Sequence, residues 1–537
     1  MSDVDVSNSL ELSPEMSSYW QYLQDCCHVI ELDSLEHLKI CILNTQWEKP
    51  NTSLDFNNIA VMGLIEADNA QDLSERAIYL DYALEALKQG AELPESFLCK
   101  AHLSVVYNLI GENNTAVSGA YNTFFKTLEE DSCTSINHQS TLGLVYLPRN
   151  QTKWAIICQE KLPMLLRLDN ANQQATALAI EVVCHSHLSF YNIETLKFFH
   201  LAVQFLPQSA ALNLQLGIAG LHNQQNESLA YLYLAHKLAP NSRSHQAIYL
   251  ALQDVHKPVA AESFRNRWLE ANVEDISSEW SWANLPIDSP YSYVSFDNDI
   301  TLTVEASFRS ICTCVLIAQT DWFEVEMEIW RDQIQDGMTV IDVGANIGVY
   351  TFSAAKRVGN LGKVIAIEPF SLCVQCLTET CRVNQFEWVT VIAGAASDDY
   401  GSALLSLNSS SELNELTQIM DGDQSTGNVE KVACFPVDSL IDKENLDRID
   451  WLKIDAEGHE IQVLAGCDRI LKEFKPNIIY ENIAGIQGAN TEVAEYLSQH
   501  GYNLYRYRPY LKQLIPITSA AELQGCLNII AIAEQTD

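Results

Sequence analysis

The chain has 537 residues, more than one hydrophobic core organises, so at least two domains are expected. Apolar residues make up 47% and charged residues 19%, which excludes a disordered chain. The net charge of −38, from 32 basic and 70 acidic residues, argues against nucleic acid or an anionic membrane as partner, since both reward the opposite sign.

The first residues, MSDVDVSNSLELS, have no basic segment followed by an apolar one, so no secretory signal is read. No apolar run reaches the roughly 18–20 residues of a membrane helix. The 15 cysteines then read as reduced thiols, and the expected location is cytoplasmic. From about 15 to 275 the apolar residues recur at helical spacing. Within this half LAVQFLPQS, residues 201–209, matches LAHKLAPNS, residues 234–242, and Pro207 and Pro240 lie 33 positions apart. That period, with a small Ala and a Pro closing the second helix, resembles divergent tetratricopeptide repeats. Residues 1–280 are therefore expected to form an all-α helical repeat domain. It would either shield the second half or offer a surface for a protein partner, a substrate or self-association.

Residues 281–337 read as a linker, a β-hairpin and a lead-in helix. The stretch EDISSEWSWANLPIDSPYS is rich in Ser and Pro. YSYVSFDNDITLTVEA predicts two strands around Asp297, Asn298 and Asp299. DWFEVEMEIWRDQIQDG predicts a helix ending at Gly337.

From Met338 to the end the rhythm is strand, helix, strand. MTVIDV, KVIAIEP, VTVIAGAAS, DWLKIDAE and NIIYEN are short apolar runs that close on polar or acidic residues. Such runs suit parallel strands buried on both faces. NLYRY and LNIIAIAE suit a final antiparallel pair. The expected fold is α/β, Rossmann-like, with a doubly wound, mostly parallel sheet over 338–537. Open sheets of this kind bind ligands beyond the carboxyl ends of their strands. That rule gathers Asp342 to Gly348, Glu368, Ala396 to Asp398 with Ser397 among them, Asp455 to Gly458, and Glu481.

The run IDVGANIGVY narrows the ligand. A dinucleotide turn wants glycines where Asn346 and Val349 stand, and a phosphate loop wants a following Gly-Lys-Ser/Thr. A nicotinamide oxidoreductase is disfavoured on the same spacing. D-x-G-x-N-x-G without a phosphate cradle suits S-adenosylmethionine, with Asp342, Gly344, Asn346 and Gly348 around it. Glu368, 24 residues after Gly344, is placed to accept from both ribose hydroxyls. Tyr350 reads either as a cofactor neighbour or as core.

IDVGANIGVYT, AIEP, PVDSL, WLKIDAEGHEIQVLAG, KPNIIYE and NIIAI stand in the order found in the FkbM family, which this half of the chain resembles over roughly residues 290–537. EVE at 324–326 sits where that family tends to place a Glu-rich helix, and Ala456 departs from the branched apolar residue common there. The resemblance implies a class I S-adenosylmethionine-dependent methyltransferase that O-methylates a sugar, glycan or secondary metabolite. The rival reading is a repeat scaffold whose second half binds cofactor without catalysis.

A hydroxyl acceptor needs its proton removed, so Asp455, Glu481 and His459 are the catalytic candidates. A divalent metal held by Asp455 and a nearby carboxylate would serve the same end, although no His/Cys metal motif is read. Lys453 is expected to pair with a carboxylate, and Glu457 to favour the start of the next helix. Cys373, Cys376 and Cys381 read as packing residues.

Overall fold

The computed structural model describes residues 13–26, 32–133, 142–149, 161–184, 186, 190, 193–271, 278–408, 414–417, 429–482 and 489–534. The chain forms two compact units, Met1–Ser186 with Pro509–Lys512, and His187–Arg508 with Gln513–Asp537.

The first unit is largely helical, with helices at Pro14–Cys26, Leu32–Asn44, Ser53–Asn69, Leu73–Ala91, Phe97–Leu109, Asn113–Cys133 and Ala171–Cys184. Side-chain caps fix their starts. Thr52 and Asp55 close a capping box, and Asp72 accepts from the amides of Ser74 and Glu75. One feature is absent from the sequence reading. Residues 142–148 are extended, and Leu144 to Leu147 are fully buried among the helices. A buried backbone with no strand partner must be satisfied by side chains. The Tyr19 hydroxyl donates to the Val145 carbonyl (2.9 Å) and accepts from its amide (3.1 Å), and Tyr22 does the same at Leu147. Asn57 and Asn58 serve Leu144, and His102 Nε2 accepts from the Tyr146 amide.

The second unit begins with helices Ile193–Phe205, Ala210–His222, Leu229–Leu238, Ser242–Asp254 and Pro258–Ala271. The two matching nine-residue segments take equivalent places, each running out of one helix and into the next. The hairpin follows as expected, with β1 (Tyr291–Phe296) against β2 (Ile300–Glu305) and left-handed Asp297 and Asn298 between them. The expected domain break at 280 lies inside this unit, and 272–277 of the expected linker lie outside the described residues. The physical reason is a set of hydrogen bonds from helix to hairpin. Gln246 Nε2 donates to Ser292 Oγ (2.9 Å) and to the Tyr293 carbonyl (2.7 Å), and the Asp254 carboxylate accepts from the Phe308 amide (2.8 Å).

The main sheet has eight strands. They are β3 (Thr339–Val343), β4 (Lys363–Glu368), β5 (Val389–Ala393), β10 (Trp451–Ile454), β11 (Asn477–Glu481), β12 (Tyr502–Arg508), β13 (Gln513–Pro516) and β14 (Asn528–Ala533). Their spatial order is β13-β12-β14-β11-β10-β3-β4-β5. The five strands from β11 to β5 are parallel, and β14 runs against both β11 and β12. This is a doubly wound, Rossmann-like sheet, with the switch in strand order between β3 and β10. Its core holds Ile341, Ile365, Leu452, Ile454 and Ile478, all fully buried. A second sheet of four strands, unforeseen in the sequence, is ordered β6 (Ala395–Ala396), β9 (Val429–Phe435), β7 (Gly401–Ser406), β8 (Glu415–Thr417). Among the described residues no helix is long and apolar enough to cross a membrane.

The Gln246 contacts are buried, so their loss leaves polar groups unpaired. Gln246→Ala should destabilise the protein by about 1–3 kcal/mol in denaturant titration. A change under about 0.5 kcal/mol would mean that the helices and the hairpin fold without this link.

Candidate active site

The site is built at the switch point, where the ends of β3 and β10 meet. The Asp455 amide donates to the Val343 carbonyl (3.0 Å), carrying the β3–β10 pairing one residue past the strands. Gly344 then turns away with φ +74°, and a Cβ there would lie 1.7 Å from the Asp455 carbonyl oxygen. Gly348, φ +96°, is the N-cap of the helix Val349–Val358, and its Cβ would meet the Phe352 ring at 2.4 Å. The neighbours that exclude a side chain are protein atoms.

Between the glycines Asn346 adopts φ +48°, and its amide donates to Glu368 Oε2 at 2.7 Å. Glu368 Oε1 accepts from the Phe370 amide, also at 2.7 Å. One carboxylate thus ties the turn after β3 to the turn after β4, and each of its oxygens keeps a second lone pair. Burial pushes Glu368 up to about 7, against the pull of the two amides. Asp342 is buried and accepts from Thr351 Oγ1 at 2.5 Å. Burial pushes it up to about 6, with the Thr351 bond and Lys453 opposing. Cys373 Sγ reaches Asn346 Oδ1 at 3.4 Å, and Cys373, Cys376 and Cys381 are free thiols.

On the other side of the switch, Asp455 follows β10 and Glu481 ends β11. Asp455, Glu457 and Glu481 bring one carboxylate oxygen each within 4.8 Å of one another. Lys453, buried inside β10, donates to Asp455 Oδ2 at 2.9 Å and lies 5.0 Å from the Tyr350 ring centre. Burial works against its charge, but Asp455, Glu324 and Asp342 outweigh that and raise it above the usual lysine range. Glu481 Oε2 is shut off from solvent and has no hydrogen-bond partner among the described residues. Burial first, then Asp455 and Glu457, push Glu481 well above the usual carboxylate range. Glu460 accepts from the amides of Ala456 and Gly458 and so holds the turn that carries Glu457 in a left-handed conformation, φ +47°.

The other candidates fall elsewhere. His459 is outside the carboxylate cluster, with Nε2 3.1 Å from Ser397 Oγ, and burial lowers its pKa. Ser397 also donates to Asp398. The Tyr350 hydroxyl donates to Glu324 Oε2 at 2.6 Å, within the core. Glu324 and Glu326 were noted in the sequence only as part of a Glu-rich stretch. Asn528, the first residue of β14, donates to both. Burial, then Glu324, pushes Glu326 up to about 7. Since Asn528 pairs with Glu481 across β14 and β11, these acids belong to the same sheet edge.

A glycine turn and strand-end carboxylates thus meet where the strand order reverses, the place where open α/β sheets bind their ligands. Residues 342–504 match the family model described as the methyltransferase FkbM domain. The methyltransferase sdnD of Sordaria araneosa is 25% identical over 197 residues, which are 32% of this chain and 75% of that protein. Among solved structures, the methyltransferase FkbM from Methylobacillus flagellatus KT is 16% identical, covering 41% of this chain and 54% of its own, with a TM-score of 0.25. The precorrin-6y C5,15-methyltransferase from Geobacter metallireducens GS-15 is 13% identical, covering 40% and 90%, also with a TM-score of 0.25.

The buried carboxyls set a pH dependence. Asp342, Glu326 and Glu368 stand at about 6, 7 and 7 against ordinary values of 3.8, 4.5 and 4.5, so each holds its proton more tightly in the folded chain. That contribution to stability is complete below the unfolded values and is lost as pH rises through the folded ones. The melting temperature of the ligand-free protein should therefore fall between about pH 5 and pH 8. Glu368→Gln should flatten the fall by up to about 1.4 kcal/mol per pH unit. An unaltered slope would show that Glu368 is already ionised in the free protein.

Proposed function

We propose that the protein transfers a methyl group from S-adenosylmethionine to a hydroxyl of a sugar, glycan or secondary metabolite. The observation that carries this reading is the arrangement of the switch point. A glycine turn and the Glu368 carboxylate lie on the β3–β4 side, and an acidic cluster lies on the β10–β11 side. The donor set fits the cofactor. Glu368 has lone pairs left for two ribose hydroxyls, and the surrounding carboxylates suit a ligand bearing a sulfonium and an ammonium charge.

Bound S-adenosylmethionine supplies a methyl group already activated by its sulfonium. The chain's own part is then to orient the acceptor, keep water from competing with it and provide for the loss of its proton. Lys453 keeps Asp455 Oδ2 in place, so Oδ1 is the oxygen turned to a reactant; it has no partner among the described residues. Glu481, one strand over, closes the acceptor side. His459 is assigned no part in the chemistry, because its ring is engaged by Ser397. The repeat-like helices are proposed to serve a protein partner, the acceptor or self-association.

Asp455→Asn keeps the shape of the side chain and removes its proton-accepting charge. Turnover should fall by about 10²–10⁴-fold, with S-adenosylhomocysteine affinity little changed. Wild-type turnover per folded molecule, with only the melting temperature lowered, would reduce Asp455 to a structural cap.

A further inference from the structure

We propose that Asp455, Glu457 and Glu481 hold one hard divalent cation, of the size of Mg²⁺ or Mn²⁺. The inference rests on the methyl-transfer reading and adds to it the means by which the acceptor hydroxyl is activated.

Three observations carry it. The first is spacing. The three carboxylate oxygens lie within 4.8 Å of one another. Oxygens at roughly 2.1 Å from a common ion stand about 3 Å apart when adjacent and about 4.2 Å apart when opposite. Small side-chain adjustments therefore bring all three onto one centre.

The second observation is the unpartnered oxygen. Glu481, a member of the cluster, has its Oε2 enclosed by protein and without a hydrogen-bond partner among the described residues. Buried polar atoms without a partner are rare, and each calls for an explanation such as an ion. The third is charge. Lys453 engages a single oxygen of the cluster, Asp455 Oδ2. Three carboxylates this close to one another repel. A divalent ion balances them. The donor set is all oxygen, which selects a hard ion over zinc or copper.

The positions of the strands give the ion a task. Asp455 and Glu481 terminate neighbouring strands on the acceptor side, whereas Glu368 and the glycine turn lie on the other side of the switch. An ion there lowers the pKa of an acceptor hydroxyl and fixes its direction. The hydroxyl proton leaves to solvent, the new O–C bond forms as the C–S bond breaks, and the electron pair of that bond stays on sulfur. A methyl ether, S-adenosylhomocysteine and a proton result.

The test is titration of the full chain, freed of metal by chelator, with MnCl₂, followed by electron paramagnetic resonance of free Mn²⁺. One site per chain is expected, weakened at least about tenfold in Glu481→Gln and in Glu457→Gln, and unchanged in Asp442→Asn on the distant surface. Circular dichroism melting shows that each variant is folded, and the two glutamate variants stand in for each other if one is not. No saturable Mn²⁺ site, or a site equally strong in both folded glutamate variants, overturns the proposal. S-adenosylhomocysteine titrated into the same sample separates the two readings. Its binding without Mn²⁺ binding removes the metal site and leaves the cofactor reading standing, whereas Mn²⁺ binding alone supports the metal site and counts against the cofactor reading.

Discussion

The carbonyl oxygen of Asp455 occupies the space where any side chain at residue 344 would begin, 1.7 Å from an added Cβ. The rest of the site follows from this approach. Because residue 344 is a glycine in the left-handed region, the chain leaving β3 can fold back against the chain leaving β10. That contact puts the two turns side by side at the point where the strand order reverses, and so opens the crevice there. The Asn346 amide and Glu368 then lock the turn to β4.

Charge is the second constraint. The end of the sheet carries Asp342, Glu324, Glu326, Glu368, Asp455, Glu457 and Glu481 around a buried lysine. Burial raises the proton affinity of Asp342, Glu326, Glu368 and Glu481, so the ligand-free site stores protons as well as charge. A cationic ligand entering such a site releases protons and gains electrostatic energy together, and this coupling suits a sulfonium cofactor.

Much of the second half was legible in the sequence because its strands are continuous apolar runs that stop at acids. The strand-end rule alone brought forward Asp342, Glu368, Asp455 and Glu481. Glu457 was read as a helix-dipole residue, since the left-handed turn that carries it toward Glu481 is made by Glu460, two positions beyond Gly458, and leaves no periodic trace. His459 was linked to the chemistry by its nearness in sequence to Asp455; its partner Ser397 is 62 residues away. The second sheet was missed because β6 and β8 have only two and three residues, and β7 and β9 are partly exposed strands without a continuous apolar run. Residues 142–148 were hidden for another reason. Their hydrogen bonds go to side chains on distant helices, with up to 126 positions between partners. No local pattern encodes that arrangement.

The central claim is that the switch-point crevice is made for S-adenosylmethionine. Isothermal titration of the full chain with S-adenosylhomocysteine and, separately, with NAD tests it most directly. The account predicts one S-adenosylhomocysteine site per chain and no heat of binding with NAD. Binding of NAD in place of S-adenosylhomocysteine would contradict it.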